Sequence, residues 1–509
     1  MNLNIEEALN LLSEHDLIVE QNISDKNQNL SNVSYNSLED QTNGAFFCKG
    51  TTFKKEYLEG AISNGAKLYV AEQKYSDKID YIIVKDAQKS LALLSALFYG
   101  NPERSLSITA FTGTKGKTTT SYFIYNILNR TYPNKVALFS TVDRIVGPKP
   151  EDKFKSDLTT PESLELFRDM RTAVDKGMTH LVMEVSSQAY KRYRVYGLQF
   201  DIGGFLNISP DHIGENEHPT FEDYLNCKKQ LLINSKVNII NSETNELETV
   251  KEAALQTSSD DNVYLYGRNA DESDVIFESK EATLSDSIFD VKSVTEKASK
   301  LDLNGEYKLS LVGDFNESNA TAAIIAAKIE GARNEDIFKG LVETQIPGRM
   351  EHISTKDHGD IFVDYAHNYA SMKALMDFLK TEYPDSKITV VVGSPGNKGI
   401  SRRSGFAKVL TELADQAILT TDDPGFEDPA DICREIDSQI DHSQVSVKTI
   451  LDRKTAIKEA ISNNKPSNIV ILAAKGSDPY QKINGVDTPY EGDTQIAKDF
   501  VAELENRGI

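Results

Sequence analysis

The chain has 509 residues and a formal charge of −22; at roughly 100–200 residues per domain, that length points to about three domains. A surface this acidic argues against general binding to nucleic acid or anionic membranes, both of which need dense positive charge, so an anionic ligand must be caught by a local site. Three scattered cysteines, Cys48, Cys227 and Cys433, form no disulfide framework and fit a reducing, cytoplasmic setting.

The opening segment MNLNIEEALNLLSEHD has apolar positions at helical spacing and four acidic residues, so it reads as an amphipathic helix and not as a signal peptide. AFFCKG (45–50) and AKLYVAE (66–72) read as strands around a helix, KKEYLEGAISNG (54–65). SLSITAFTGTKGKTTTSYFIYNILNR (105–130) is a strand, a glycine turn and a helix, and THLVMEVSS (179–187) and FDIGGFLNIS (200–209) are buried strands ending in polar residues. The polar, acidic stretch 241–310 is expected to form a solvated peripheral subdomain, followed by an alanine-rich helix, DFNESNATAAIIAAKIEGA (314–332). After Pro347-Gly348 come four strands, GDIFVDYAHN (359–368), ITVVVGS (388–394), QAILTTDDP (416–424) and SNIVILAAKGSD (467–478), alternating with helical segments as in a second doubly wound sheet. These divisions give regions 1–103, 104–346 and 347–509. No stretch approaches the roughly 18 uninterrupted apolar residues of a membrane span.

The strongest local signal is TGTKGKTTT (112–120). Its glycines let backbone N–H groups curl around phosphate oxygens in front of a helix N-terminus. Lys117 would bridge the β- and γ-phosphates and Thr118 would ligate Mg²⁺, with Thr112, Gly113, Thr114, Lys115 and Gly116 forming the cradle. The loop is shorter than the usual consensus, because Phe111 stands where an earlier glycine is expected. Such a loop marks an ATP or GTP site without saying what the phosphate energy does; switches, kinases and ligases all carry one. Glu184 and His212 follow buried strands, and each could ligate Mg²⁺ or Mn²⁺ beside Thr118. Taken alone, they read more readily as a solvated strand-end carboxylate and a hydrogen-bonded turn histidine.

A set of motifs in order decides among these uses: GTKGKTT (113–119), LTTPE (158–162), MEVSSQ (183–188), NISPDHIG (207–214), YLNCK (224–228), DFNESNATAA (314–323), IPGRME (346–351), VDYAHN (363–368) and KGSD (475–478). Together they resemble the Mur ligase family, ATP-dependent enzymes that add amino acids to the peptidoglycan precursor. The resemblance is closest to the members that extend UDP-N-acetylmuramoyl-L-alanyl-D-glutamate. It implies an α/β chain of three domains, namely a UDP-sugar-binding domain, a central P-loop parallel-sheet ATPase domain and a C-terminal Rossmann-like domain that binds the amino acid. It also implies that Lys228, four residues after Tyr224, is carbamylated by CO₂ and joins Thr118, Glu184 and His212 in holding metal; as a residue, Lys228 reads as a surface charge like its neighbour Lys229. Asn316, Asn319, Arg349, Asp364 and His367 match nucleotide-site positions, which puts phosphate contacts in two domains and implies domain closure. Thr159, Thr160, Ser186 and Arg194 match contacts to the UDP-sugar acceptor. In VSYNSLED (33–40), Ser37 is kept from a uridine-contacting triplet whose charged members are replaced by Asn36 and Leu38.

For the incoming amino acid, diaminopimelate-adding relatives carry an Asp-Asn-Pro-Arg motif, whereas this chain has Asp422-Asp423-Pro424-Gly425 with no arginine nearby. A second substrate carboxylate would meet like charge there, and a lysine ammonium would be welcome. Arg403 falls where the family binds the α-carboxylate, and Asp478 stands in place of a family glutamate that would hold the amine. The implied reaction phosphorylates the D-glutamyl γ-carboxylate with ATP and then lets the L-lysine α-amine displace phosphate from the acyl phosphate. Transfer of L-ornithine or diaminopimelate, a folylpolyglutamate-type ligase and a P-loop regulatory ATPase or GTPase are the alternatives. The expected partners are small-molecule substrates, with no nucleic acid and no membrane, and the expected state is a monomer.

Overall fold

The computed structural model describes residues 1–50, 53–211, 213–214, 217–282, 286–311, 314–348, 350–397 and 399–507. The chain divides into two compact units, Met1–Thr344 and Gln345–Ile509. Among the described residues, no helix is long and apolar enough to cross a membrane.

The first unit contains two large sheets. Five strands near the N-terminus, Ile18–Asn22, Asn32–Ser34, Gly44–Phe47, Ala66–Ala71 and Asp80–Val84, form one sheet, antiparallel only where Ile18–Asn22 pairs with Asp80–Val84. Its apolar face packs on the helices Ile5–Glu14 and Ala87–Phe98, and Leu164 joins that core from the helix Ser163–Asp175. The second sheet has eleven strands. Its centre is a parallel run ordered Val136–Phe139, His180–Glu184, Ser107–Thr112, Phe200–Phe205, Ser235–Asn241, Val263–Gly267. The strand order reverses around Ser107–Thr112, because the chain first builds to one side of it and then, from Phe200 on, to the other. Ligands of open α/β sheets collect beyond the carboxyl ends of strands at such a switch point.

The acidic stretch 241–310 is not a peripheral subdomain. Four of its segments, Val263–Gly267, Val275–Ala282, Ser287–Ser293 and Gly305–Leu309, extend the large sheet. The reason is a period-two pattern hidden in the polar composition: Val275 and Phe277, Phe289 and Val291, and Tyr307 and Leu309 are buried, while the acidic residues take intervening and loop positions.

The second unit is built on a six-stranded sheet ordered Glu351–Ser354, Asp360–Asp364, Ile469–Ala473, Ile388–Val392, Gln416–Leu419, Ser446–Thr449. Only the first pair is antiparallel. Both faces are covered by helices, which explains why strands such as ITVVV and IVILA are apolar throughout.

Candidate active site

In the first unit the site grows from the strand Ser107–Thr112 and the helix Lys117–Thr131. Gly116 caps that helix at φ +86°, a left-handed conformation that glycine adopts without strain, and a Cβ there would collide with the Asn319 side chain. The loop is braced from the next strand end: Thr114 N donates to Asn207 O (3.0 Å), Lys115 N donates to Asn207 Oδ1 (2.9 Å), and Asn207 Nδ2 donates to Lys115 O (3.1 Å). Asn207 shows how NISPD serves the loop, a role its position just beyond an apolar strand hinted at only weakly. Asn316 and Asn319 lie one turn apart and buried on the helix Asp314–Ile329.

Two lysines converge on one carbonyl. Lys117 Nζ donates to Gly113 O at 2.8 Å, and Lys228 Nζ donates to the same oxygen at 2.7 Å. Lys228 belongs to the helix Phe221–Ile233, which Thr220 caps by accepting from Asp223 N (3.2 Å) and which carries Glu222 and Asp223 at its positive end. Tyr224, one turn before Lys228, lies with its hydroxyl 3.1 Å from Thr114 Oγ1 and its ring centroid 4.7 Å from Lys228 Nζ. The structure thus separates two lysines that look alike in sequence: Lys228 is 2% exposed, whereas Lys229 is only partly buried. Burial, together with the positive charge of Lys117, holds the Lys228 amine well below the ordinary lysine range.

Glu184 is fully buried at the end of its strand. It accepts from Thr118 Oγ1 (2.8 Å), Thr141 N (2.7 Å) and Thr141 Oγ1 (2.9 Å). Thr141 also reaches Thr159 Oγ1 (3.1 Å), and Thr160 Oγ1 donates to Glu184 O (3.0 Å) while accepting from Ser186 N (3.0 Å). Thr118, Glu184, Thr159, Thr160 and Ser186 are therefore one network, with Thr141 as a member that sequence reading missed. These oxygen donors are of the kind a hard divalent cation takes. Arg194 donates to Glu162 Oε1 (2.7 Å) and Thr160 O (3.3 Å). Ser37 lies in a turn of the first sheet, its carbonyl accepting from Asn64 Nδ2 (2.9 Å), with Leu38 exposed beside it.

His218 is a second omission. Its ring is wholly buried, with Nε2 2.9 Å from Ser187 Oγ and Nδ1 2.6 Å from Asp223 Oδ2. It ties the turn after Glu184 to the helix that carries Lys228. His212 and Arg349 lie outside the described residues.

In the second unit, predicted residues gather at the carboxyl ends of the parallel strands. Asp364 accepts from Ala366 N (2.7 Å) and Met350 N (2.8 Å), and His367 Nδ1 lies 2.8 Å from Tyr365 O. Lys475, 2% exposed, donates to Asp423 Oδ1 (2.6 Å) and Asp478 Oδ2 (3.2 Å) and lies 3.6 Å from Asp422 Oδ1. Burial works against the Lys475 ammonium, but Asp422, Asp478 and Asp423 outweigh it and hold its pKa above the ordinary value. Burial pushes the Asp422 carboxyl up. The acidic loop thus has a resident cation that the sequence reading did not weigh. Ala474, at φ +76°, turns the chain into Lys475 through a conformation that costs an L-residue roughly 1–2 kcal/mol.

Pro424 and Gly425 line a cavity of about 560 Å³ together with Phe426, Arg453 and Gln481. Beneath it Arg453, fully buried, makes a bidentate pair with Asp493 (2.8 and 2.6 Å) and donates to Ala473 O (2.7 Å). Arg403 is buried and held by Glu427 (2.8 Å) and Glu435, with its Nε lacking a partner among the described residues.

Residues 111–327 match the pattern described as the Mur ligase middle domain, and 348–476 match the Mur ligase, glutamate ligase domain. The chain is 54% identical, over 99% of its length and 100% of the relative's, to a UDP-N-acetylmuramyl-tripeptide synthetase of Ligilactobacillus salivarius. It is 47% identical, over 92% of its length and 91% of the relative's, to a UDP-N-acetylmuramoyl-L-alanyl-D-glutamate--L-lysine ligase of Enterococcus faecalis. A solved UDP-N-acetylmuramoyl-L-alanyl-D-glutamate--2,6-diaminopimelate ligase shares the fold, with a TM-score of 0.67 at 23% identity over 99% of this chain and 100% of that one.

Proposed function

Because the chain belongs to the Mur ligase family, we infer that it is an ATP-dependent acid–amino-acid ligase that adds L-lysine to UDP-N-acetylmuramoyl-L-alanyl-D-glutamate in peptidoglycan precursor synthesis. The observation that carries this reading is the near-full-length similarity to relatives named for that reaction. Regions 1–103, 104–346 and 347–509 are its three domains, a division supported by a separate sheet in each. The small-molecule substrates meet a monomeric enzyme of the cytoplasm.

Each group of residues has a task. The loop 112–118 and Lys117 hold the ATP phosphates, and Asn316, Asn319, Arg349, Asp364 and His367 serve the nucleotide. Thr118, Glu184, His212 and the Lys228 carbamate would hold Mg²⁺, and the oxygen-rich network around Glu184 fits that ion; it would offset phosphate charge. Lys117 reduces the repulsion between the substrate's γ-carboxylate and the γ-phosphate as the acyl phosphate forms. Ser37, Thr159, Thr160, Ser186 and Arg194 bind the acceptor. Asp422, Asp423 and Asp478 receive the lysine ammonium groups beside Pro424 and Gly425, and Arg403 takes the α-carboxylate. The neutral amine favoured at Lys228 is the form that adds CO₂, which supports its carbamylation.

The test is phosphate release from ATP with each substrate omitted in turn. The ligase reading predicts release only with acceptor and L-lysine both present. Release independent of either would point to a nucleotidase or a switch and overturn it.

A further inference from the structure

Lys49 follows the strand Gly44–Phe47 of the five-stranded sheet, yet its side chain reaches a turn of the eleven-stranded one. Its Nζ donates to Glu162 Oε2 at 2.6 Å, while Arg194 holds Glu162 Oε1 at 2.7 Å. The same ammonium lies 4.1 Å from the centroid of the Tyr35 ring, and Tyr35 in turn donates through its hydroxyl to Glu165 Oε1 at 2.7 Å. We propose that Lys49 is a further binding residue for the acceptor, donating to the diphosphate of its UDP group. This deepens the ligase reading and rests on it.

Four features point to an anionic ligand. Two cations share the Glu162 carboxylate, with a second carboxylate, Glu165, set behind the Tyr35 hydroxyl. Burial alone would raise the Glu162 carboxyl, but Lys49 and Arg194 outweigh it and hold it below the ordinary range, so its negative charge is fixed and does not release either cation. Among the described residues, Lys49 spends a single N–H donor on an acceptor, leaving two of an ammonium's three for a ligand. Its side chain is 14% exposed and that of Arg194 is 11%, so both are held in place and still reachable, unlike a lysine extended into solvent.

Position narrows the ligand. Tyr35 precedes Asn36 and Ser37, in the segment matched to uridine contacts, and Arg194 donates to Thr160 O, both residues being among the proposed acceptor contacts. A UDP-sugar carries its diphosphate next to the uridine, and Lys49 lies between the Tyr35 ring and the carboxylate it shares with Arg194. An ordinary structural salt bridge would join the sheets equally well, and binding measurements separate the two roles.

Titration calorimetry of the full chain with UDP and with uridine compares wild type, Lys49→Met and Lys49→Arg, alongside steady-state kinetics with the acceptor. Losing a charge-assisted contact should weaken UDP binding at least about tenfold. Uridine binding should stay within about twofold, and KM for the acceptor should rise by a factor like that for UDP with kcat little changed. Lys49→Arg should retain most of the affinity. Unchanged UDP affinity in folded Lys49→Met, equal weakening of uridine and UDP, or no UDP binding by wild type would each overturn the proposal. A raised KM with unaltered UDP binding would place Lys49 at a peptide carboxylate and overturn the diphosphate assignment. If Lys49→Met does not fold, Lys49→Gln, which can still donate to Glu162, supplies the same comparison. Should wild type fail to turn over the acceptor, the ligase reading falls while the UDP titration still decides Lys49.

Discussion

Removing CO₂ should inactivate this enzyme reversibly, and the cause lies in two lysines that share one carbonyl. Lys117 and Lys228 both donate to Gly113 O, at 2.8 and 2.7 Å, so their nitrogens are at most about 5.5 Å apart. Two ammonium charges at that distance repel by about 3 kcal/mol at an effective dielectric of ~20. Burial adds a desolvation cost on Lys228, which together with Lys117 favours its neutral amine. A neutral amine attacks CO₂, forming the N–C bond and releasing a proton, and the carbamate turns repulsion by Lys117 into attraction. Protons compete with CO₂ for the same nitrogen, so carbamylation falls as pH falls, and bicarbonate should restore activity most strongly toward acid pH. Labelled bicarbonate should give a ¹³C carbamate resonance in wild type that Lys228→Ala lacks and Lys229→Ala keeps. If the Lys228 carbamate holds metal as proposed, Lys228→Ala should cost at least about 10-fold to 100-fold in activity, partly restored by short-chain carboxylic acids. Full activity in Lys228→Ala, or no carbamate resonance in wild type, would refute the reasoning.

Gly116→Ala must place a side chain at φ +86° against Asn319; it should lose about 1–2 kcal/mol of stability from the backbone alone and raise KM for ATP, as melting curves and ATP kinetics would show. Asp423→Asn removes a charged acceptor from the cluster around Lys475; KM for L-lysine should rise about 10–150-fold if a substrate ammonium uses the same carboxylate, with KM for ATP unchanged. Arg453→Met leaves Asp493 buried without its bidentate partner; denaturant unfolding should show a loss of about 3–5 kcal/mol.

The parallel strands of both sheets were legible because strands buried on two faces are continuously apolar, and their polar termini marked the site. The stretch 241–310 was misread because average polarity hid the alternation that buries Phe277, Phe289 and Tyr307. The phosphate loop was readable from its glycines, but the residues that brace or partner it were not. Asn207, Thr141 and His218 act through distant pairings that no local spacing encodes. Lys228 shows the limit most clearly. On a helix, LNCKKQ offers two equivalent lysines, and only packing decides which is buried. The acidic loop 422–425 was visible as charge, while Lys475, some fifty residues later, became its counter-ion only when two strands ended at the same edge of the sheet, on either side of Ile388–Val392.

Joining L-lysine to UDP-N-acetylmuramoyl-L-alanyl-D-glutamate is the activity proposed for this chain. Mass spectrometry of the product formed from ATP, Mg²⁺ and that acceptor, with L-lysine, L-ornithine and meso-diaminopimelate in equal competition, tests it most directly. The expected outcome is a tripeptide product carrying L-lysine, formed only with ATP. A diaminopimelate product would contradict the reading of Asp422, Asp423 and Asp478, and no amide product with any of the three would contradict the ligase itself.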